Sequence, residues 1–516
     1  MTTPCTPRER RASPPVPETF TPRSPGSRGR VPRVARVIGS RVATLARVIR
    51  PPVERRVLVA LVVAAFCAYA LLSLTKHRLF QTTSIDLTIF DQAVRGYAAF
   101  QAPTSPVKGF SIGKGAAWNQ LGDHFSPILA LLAPLYWIHD APETLLVAQA
   151  ALLALAAVPI WAFARRRLGV LPAHLTAAGY LLSWPVAHVV AFDFHEAAAV
   201  PLLSALLIER YEAGRHTVAA SAAFGLLLVK EDMGLTVAAF GALAVVRGDR
   251  RRGAAYLVAG LAWTVLARAA LIPAVGGDPG AHWAYHHFGP DVPEALVGML
   301  TDPLGALQYL VTPADKLSTA VLLLWTALPV CLCSPIIVVA VPHLLERMLS
   351  DNPNWWGTDF HYNAFTIAIV FCAGVDGAAR LARRYDRPGI GPAWAACVCA
   401  VALTLAPQHP LARLADPGFY RAGPDVVAAA EAVALVPDGV MVEAANHIGP
   451  RLTARTTVLL WEDGKQNAPW VVADTARQVF PWPSAERQRA RVAELRAAGY
   501  RVVFERDGYV VLHRGQ

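Results

Sequence analysis

The sequence predicts an α-helical membrane protein that crosses the bilayer many times and ends in a small α/β domain. Of its 516 residues, 54% are hydrophobic and 16% are charged, whereas soluble domains contain about 45–50% apolar and about 25% charged residues. The apolar residues form long runs with short polar joints between them, and arginines cluster at alternate joints. Residues 420–516 lack such runs. This composition excludes collagen-like, disordered and disulfide-rich secreted proteins.

The first 56 residues form a basic tail. They contain 13 arginines and 3 glutamates but no lysine or aspartate, so their net charge of +10 accounts for nearly all of the +11 of the chain. Residues 1–32 are rich in Pro, Ser and Arg and are predicted to be disordered. Apolar residues recur at helical spacing over 33–50, which indicates either a basic amphipathic helix on the inner leaflet or a simple cytoplasmic topology signal. Basic charge placed beside a membrane segment argues against nucleic acid as a partner.

About eleven apolar runs are predicted to cross the plasma membrane. The arginine clusters at 55–56, 165–167, 210–215, 247–252 and 380–387 mark cytoplasmic ends. Keeping every cluster inside places the N-terminus in the cytoplasm and predicts a transmembrane domain over 57–410. The predicted spans are 57–75, 143–164, 171–191, 196–209, 216–230, 232–247, 254–273, 317–332, 334–349, 361–381 and 391–407.

Two long outer loops connect these spans. The segment 125–138 is apolar, but as a span it would place the arginines at 165–167 outside, so we interpret it as a helix that enters the outer face. Residues 76–142 then form one outer loop, and residues 274–316 form a second. Loops of this length are usually functional or disordered. The first loop is too apolar to be disordered, which indicates a functional role.

Residues 420–516 are predicted to form an extracytoplasmic α/β domain. Its predicted elements are a helix over 424–436, strands near 439–444, 457–461 and 470–474, a charged helix over 484–498, and a hairpin over 501–512. The hairpin turns on Asp507 and Gly508, a typical two-residue turn. The segment has neither a G-x-G-x-x-G pattern nor a P-loop, so no nucleotide site is predicted there.

Ionisable residues gather where the predicted spans reach the outer face. Carboxylates and histidines there are suited to acid–base chemistry, and lysine or arginine to binding a phosphate. Charge close to lipid is costly, which makes such residues functional candidates. They are Asp86 and Asp91 in SIDLTIFDQ, Asp123 and His124 in GDHFSP, Asp193, His195 and Glu196 in FDFHE, Lys230, Glu231 and Asp232 in VKEDMG, and later Glu346, Arg347, His361 and Tyr362.

Each group also has a structural interpretation. Asp86 could cap a helix that begins at Leu87, and the FDFHE and VKEDMG segments could be solvated hinges between spans. The histidines of HWAYHH, residues 282–287, have a spacing compatible with metal, but without a clear acidic partner they are more typical of an interfacial aromatic belt. The C-x-C cysteine pairs lack the second half of a zinc site. No metal ligands are therefore assigned, and a requirement for a divalent cation stays open.

Several motifs resemble those of the GT-C glycosyltransferase superfamily. Residues 86–90 (DLTIF) are similar to its D-E-x-x-Y/F signature, and residues 124–129 (HFSPIL) are similar to its H-P-P-L segment. Together with FDFHE, VKEDMG and the C-terminal segment, they resemble a bacterial family of multi-spanning membrane proteins that carries only a domain-of-unknown-function label and is grouped with GT-C folds. The resemblance covers residues 57–516.

The resemblance implies an inverting transfer of sugar from a polyprenyl-phosphate carrier to a cell-envelope acceptor at the outer face. It assigns Asp86 as general base, Asp193 as the second acidic site and Lys230 to the lipid phosphate. Leu87 replaces the usual acidic residue of the signature, and Asp91 is the candidate to substitute for it. The remaining substrate-binding candidates are His124, His195, Glu196, Glu231, Arg347, His361 and Tyr362. The alternatives are a transporter or flippase, and a non-catalytic envelope scaffold.

Overall fold

The computed structural model describes residues 53–464 and 468–515. The predictions of a disordered segment and an amphipathic helix before residue 53 lie outside the described residues. Residues 54–516 form one compact unit. Most of it is helical, and the strands lie near the C-terminus.

Helices follow one another from residue 53 to residue 434. Those before residue 250 are α1 (Val53–Arg78), α2 (Ile89–Ala98), α3 (Pro106–Ser111), α4 (Ala133–Tyr136), α5 (Glu143–Leu155), α6 (Ala157–Leu168), α7 (Val170–Leu182), α8 (Trp184–Ala191), α9 (Val200–Glu212), α10 (His216–Val229) and α11 (Met233–Val246). The later ones are α12 (Arg250–Leu266), α13 (Ile272–Ala274), α14 (Val292–Thr301), α15 (Pro303–Tyr309), α16 (Ala314–Thr326), α17 (Val341–Leu349), α18 (Pro353–Trp356), α19 (Ile367–Arg384), α20 (Ile390–Leu405) and α21 (Pro424–Ala434).

Four helical segments of the described chain are long and apolar enough to cross a membrane: Val53–Arg78, Glu143–Leu168, Arg250–Ala274 and Ile390–Gln408. The count of eleven spans therefore stays a prediction. Several predicted runs are interrupted, because proline cannot donate a backbone hydrogen bond within a helix. The run 317–332 ends as a helix at Thr326 and continues as a 3₁₀ turn that starts at Pro329.

The arginine clusters that the sequence assigns to one side meet at one end of the helices. Arg167 lies 2.7 Å from Glu212 and 2.5 Å from Asp376. Arg247 pairs with the same Glu212 at 2.6 Å, and Arg380 pairs with Asp376 at 2.7 Å. The FDFHE and VKEDMG segments lie at the other ends of the connecting helices, since α9 and α10 run between them and this network.

The C-terminal strands form one mixed sheet, which confirms the predicted elements. It contains β1 (Met441–Ala444), β2 (Thr457–Leu460), β3 (Trp470–Asp474), β4 (Arg501–Arg506) and β5 (Tyr509–His513), with α22 (Ala485–Ala497) before the hairpin. The order is β2-β1-β3-β5-β4. Strand β1 pairs in parallel with β2 and β3, and β5 pairs antiparallel with β3 and β4. Buried residues such as Val442, Val458 and Val511 form a separate core beneath it.

Candidate functional site

A polar cavity of about 280 Å³ lies where residues 76–142 meet the ends of the helices. Seven of the residues that the sequence singles out line it: Asp86, Asp123, His124, His195, Lys230, His361 and Tyr362. They come from five segments that are distant in sequence, and the fold brings them together. A polar chamber of this kind, with titratable groups converging on it, is the expected form of a small-ligand or catalytic site.

Asp86 lies in an unusual backbone conformation. Its φ of 79° and ψ of −74° interrupt the turn Ser84–Thr88, and these angles match the classic γ-turn, which is rare and strained. Helix α2 begins later, at Ile89, with Thr88 in the capping position. The interpretation of Asp86 as an ordinary helix cap is therefore wrong. Strain of this kind is tolerated mainly where the surrounding structure imposes it, and it is common at active sites.

Asp193 holds the chain just before Asp86. Its Oδ2 accepts a hydrogen bond from the Thr83 backbone N–H at 2.7 Å and lies 2.6 Å from the Thr83 hydroxyl. That hydroxyl is also 2.6 Å from the carbonyl oxygen of Ile85. Asp193 is itself buried. The structure thus places Asp193 behind the loop that presents Asp86, outside the lining of the polar cavity.

The C-terminal segment contacts the same loop from another side. The Ile85 N–H donates to Asn446 Oδ1 at 3.1 Å, and the Ser84 N–H donates to the Asn446 carbonyl at 2.6 Å. Gly449 approaches so closely that a Cβ there would lie 2.0 Å from Ser84 Oγ. The conformation of Asp86 is therefore fixed jointly by Asp193 and by the segment that follows β1.

The electrostatic environment makes Asp86 a weak acid. Burial and then the like charges of Asp193 and Glu196 raise the pKa of Asp86 to about 8, although Lys108 acts in the opposite direction. A carboxyl group with a pKa near the ambient pH is well matched to accepting a proton during a reaction.

A charged network forms another wall of the cavity. Asp123 lies 3.1 Å from Lys108 and 3.0 Å from His282. Burial opposes its ionisation, but the hydrogen bond from His282 and the charges of His124 and Lys108 hold the pKa of Asp123 well below its usual range. The rings of His124 and His282 stack at 4.4 Å. His124 also pairs with Glu231 at 3.0 Å, which fixes its orientation toward the cavity.

A second, mostly apolar cavity of about 440 Å³ adjoins the first. Its apolar wall includes Leu235, Leu296, Met299 and Leu345. Lys230 lines both cavities, together with His124, His282 and Trp355. Lys230 is also 3.0 Å from Asp232. A cation thus lies at the junction between a polar chamber and an apolar one.

Five of the predicted site residues do not line the polar cavity: Asp91, Asp193, Glu196, Glu231 and Arg347. Asp91 is fully buried and accepts hydrogen bonds from Tyr136, Thr453 and Arg95. Tyr136 is therefore a buried partner of Asp91. Arg347 donates to the Trp355 carbonyl at 2.7 Å and to Asn363 at 3.0 Å. Its guanidinium supports the segment that carries His361 and Tyr362.

Some lining residues were not selected from the sequence. Lys108, His282, Trp355 and the amide side chains of Gln120, Asn352 and Asn354 belong to this group. The sequence gives His282 no clear acidic partner, because the partner in the structure, Asp123, is 159 residues away. Lys108 lies on the short helix α3, in a segment without a recognisable motif, so only its position in the fold reveals it.

The family profile described as predicted membrane protein (DUF2079) matches residues 76–511. The chain belongs to this family. The match confirms the family resemblance found in the sequence, and it makes the chain a member of a family of predicted membrane proteins. A search of the curated proteins finds no match.

Solved structures similar to this DUF2079 member are GT-C glycosyltransferases. ArnT from Cupriavidus metallidurans bound to undecaprenyl phosphate is 12% identical, with 88% of this chain and 99% of that chain covered and a TM-score of 0.50. The Archaeoglobus fulgidus oligosaccharyltransferase, tethered to an acceptor peptide, is 13% identical over 88% of this chain and 74% of that chain, with a TM-score of 0.43. The likeness to ArnT shows a GT-C-like fold, as the sequence motifs predict.

Proposed function

We propose that this protein transfers a sugar from a polyprenyl-phosphate carrier to a cell-envelope acceptor at the outer face of the plasma membrane. The observation that carries the proposal is the position of Lys230 between the two cavities. An isoprenoid tail suits the apolar cavity, a sugar suits the polar cavity with Asp86, and the phosphate between them suits a lysine. The GT-C-like fold supports the same substrate class, since the ArnT structure contains undecaprenyl phosphate.

In this proposal Asp86 is the general base. The acceptor hydroxyl attacks the anomeric carbon, its proton passes to Asp86, and the bond from that carbon to the phosphate oxygen breaks with inversion. The electron pair leaves on the polyprenyl phosphate, which Lys230 stabilises. His195, His361 and Tyr362 line the polar cavity and are the candidate hydrogen-bonding partners of the sugar. Asp193 and Glu196 raise the pKa of Asp86.

We further propose that the cavities face outward and that the arginine end faces the cytoplasm. The ion-pair network joins arginines from several predicted cytoplasmic joints, and such residues are enriched on the cytoplasmic side of membrane proteins. Residues 76–142, 274–316 and 420–516 are then extracytoplasmic. A transporter would place paired charges within interrupted spans, whereas the charges here lie at the helix ends around Asp86.

Binding of the carrier lipid is the direct test. We expect undecaprenyl phosphate, added to the full chain in detergent, to raise its thermal unfolding temperature, because a ligand that binds only the folded state stabilises it by about 2.7 kcal/mol at a hundredfold excess over Kd. Undecaprenol, which has the same tail and no phosphate, is the matched control and should have a smaller effect. Equal stabilisation by the two lipids would contradict a phosphate site.

The pH dependence of transfer should follow the ionisation of Asp86. With a pKa of about 8, the fraction of Asp86 in the basic form rises about tenfold per pH unit below pH 8, so kcat/KM should rise likewise and then level off. Lys108→Gln removes a charge that lowers this pKa and should move the midpoint upward. Lys114→Gln is the control, because Lys114 bonds the exposed Gly276 carbonyl instead. A midpoint unaffected by Lys108→Gln would exclude Asp86 as the titrating base.

A further inference from the structure

A third, very small cavity lies beside Lys230. It measures about 20 Å³ and is lined by Asp232, His343 and Glu346, among others. A space of 10–15 Å³ already accommodates one water molecule, so this cavity has the size of a single water or ion. The sequence singles out Asp232 and Glu346 as polar residues but gives no signal for His343.

The three side chains converge from two helices. His343 and Glu346 lie one turn apart on α17, and residues three apart share one face of a helix. Asp232 directly precedes α11. One ligand atom from each residue can be chosen such that all three atoms lie within 4.8 Å of one another. Among the residues that the structure describes, no other group of three converges in this way.

Two polar atoms in this cluster have no partner. Asp232 Oδ1 and His343 Nε2 are buried and lack a hydrogen-bond partner anywhere in the described chain. Asp232 is 7% exposed and His343 is 2% exposed. Leaving such atoms unsatisfied is costly, and a cation that accepts their lone pairs would remove that cost.

The neighbouring cations do not fill this role. Lys230 approaches the other oxygen of Asp232, Oδ2, at 3.0 Å. The Arg347 guanidinium is directed at the Trp355 carbonyl and at Asn363. Two carboxylates beside one imidazole would balance the charge of a divalent cation. One imidazole nitrogen and two carboxylate oxygens, with a further position open, form a ligand set that suits Zn²⁺ or Mn²⁺.

We propose that Asp232, His343 and Glu346 bind a divalent transition-metal cation next to Lys230. Its open position would accept a phosphate oxygen, so the cation and Lys230 would together neutralise the departing phosphate. That role depends on the proposed transferase function. The binding of the cation itself does not depend on that function.

The test measures metal binding to the purified full chain. After treatment with a chelator and its removal, we expect the wild type to bind about one Zn²⁺ tightly, measured by calorimetry and by the metal content after gel filtration. His343→Gln and Glu346→Gln should each lower the affinity by about a hundredfold or more, since even changes to outer-shell groups cost 10- to 100-fold. The matched control is His447→Gln, which alters a His–Asp pair in the C-terminal sheet and should leave binding intact.

Two further measurements keep the outcomes distinct. Thermal unfolding of each variant shows whether a loss of metal reflects a loss of fold, and Co²⁺ bound to the wild type should show a spectrum of nitrogen and oxygen ligands without thiolate bands. A wild-type chain that binds no stoichiometric Zn²⁺ or Mn²⁺, or variants that bind as well as the wild type, would overturn the proposal and leave a water in the cavity. If the chain binds the metal but undecaprenyl phosphate does not raise its thermal unfolding temperature, the metal site is supported and the proposed transferase function is contradicted.

Discussion

Asp86→Asn should reduce sugar transfer by about two to four orders of magnitude, the usual contribution of general acid–base catalysis, without unfolding the protein. Asn has nearly the same shape and tolerates positive φ, so it should preserve the turn in which φ of residue 86 is 79°. It cannot accept the proton of the acceptor hydroxyl. Transfer would be measured with a lipid extract of the source membranes as donor.

The same substitution should stabilise the protein between pH 4 and pH 8. In this range Asp86 is ionised in the unfolded chain but binds a proton in the folded one, because its pKa rises from an ordinary value to about 8. Stability therefore falls as the pH rises through this window. Asn does not titrate, so Asp86→Asn should unfold a few degrees higher at pH 7.

Asp91→Asn is the matched control for Asp86→Asn. Asp91 accepts hydrogen bonds from Tyr136, Thr453 and Arg95, and weakening them should cost about 1–3 kcal/mol of stability while the folded fraction keeps its transfer rate. If Asp86→Asn retained full transfer, or if Asp91→Asn abolished the chemistry in a folded protein, the assignment of the base would be wrong. A non-catalytic scaffold would show no dependence on Asp86 at all.

Lys230→Gln should have the second largest effect. A charged hydrogen bond to a phosphate contributes about 1.5–3 kcal/mol, so the affinity for undecaprenyl phosphate should fall about 10- to 150-fold. The loss should appear mainly in the KM for the donor if the carrier is bound before the reaction, and additionally in kcat if Lys230 stabilises the leaving phosphate. Both parameters come from initial rates with varied donor.

Lys108→Gln is the control for this second substitution. Lys108 lines the polar cavity, where it pairs with Asp123 at 3.1 Å, but it does not line the apolar one. It should alter the pH midpoint of transfer and leave the affinity for the carrier lipid nearly unchanged. If the two lysine variants lost carrier affinity to the same extent, the phosphate would not be confined to the junction of the two cavities.

The sequence was most informative where a local pattern determines the outcome. The alternating strands and the Asp507–Gly508 turn predicted the C-terminal elements to within a few residues, since turn chemistry and a period of two act over short distances. Arginine clusters predicted which helix ends lie together. The motif that contains Asp86 predicted a residue that lines the polar cavity.

Local patterns give no signal for features that depend on distant contacts. The role of Asp91 depends on Thr453, which is 362 residues away, and that of His282 on Asp123 in another loop. His343 stands among apolar residues of α17, where a lone histidine gives no signal. The number of spans could not be predicted from the sequence either, because prolines such as Pro329 divide apolar runs into short turns.

The contact between Ser84, Ile85 and Asn446 has a consequence for the order of assembly. The Ile85 and Asn446 partners are 361 residues apart, and a ribosome that adds about 5–20 residues per second needs about 20–70 s to synthesise the chain between them. During that time the loop with Asp86 and its partner Asp193 are already made, but the segment around Asn446 that completes the strained turn does not yet exist. The reactive carboxylate thus acquires its geometry only in a nearly complete polypeptide, so a chain cut short before Asn446 could insert its helices and still lack a formed reaction centre.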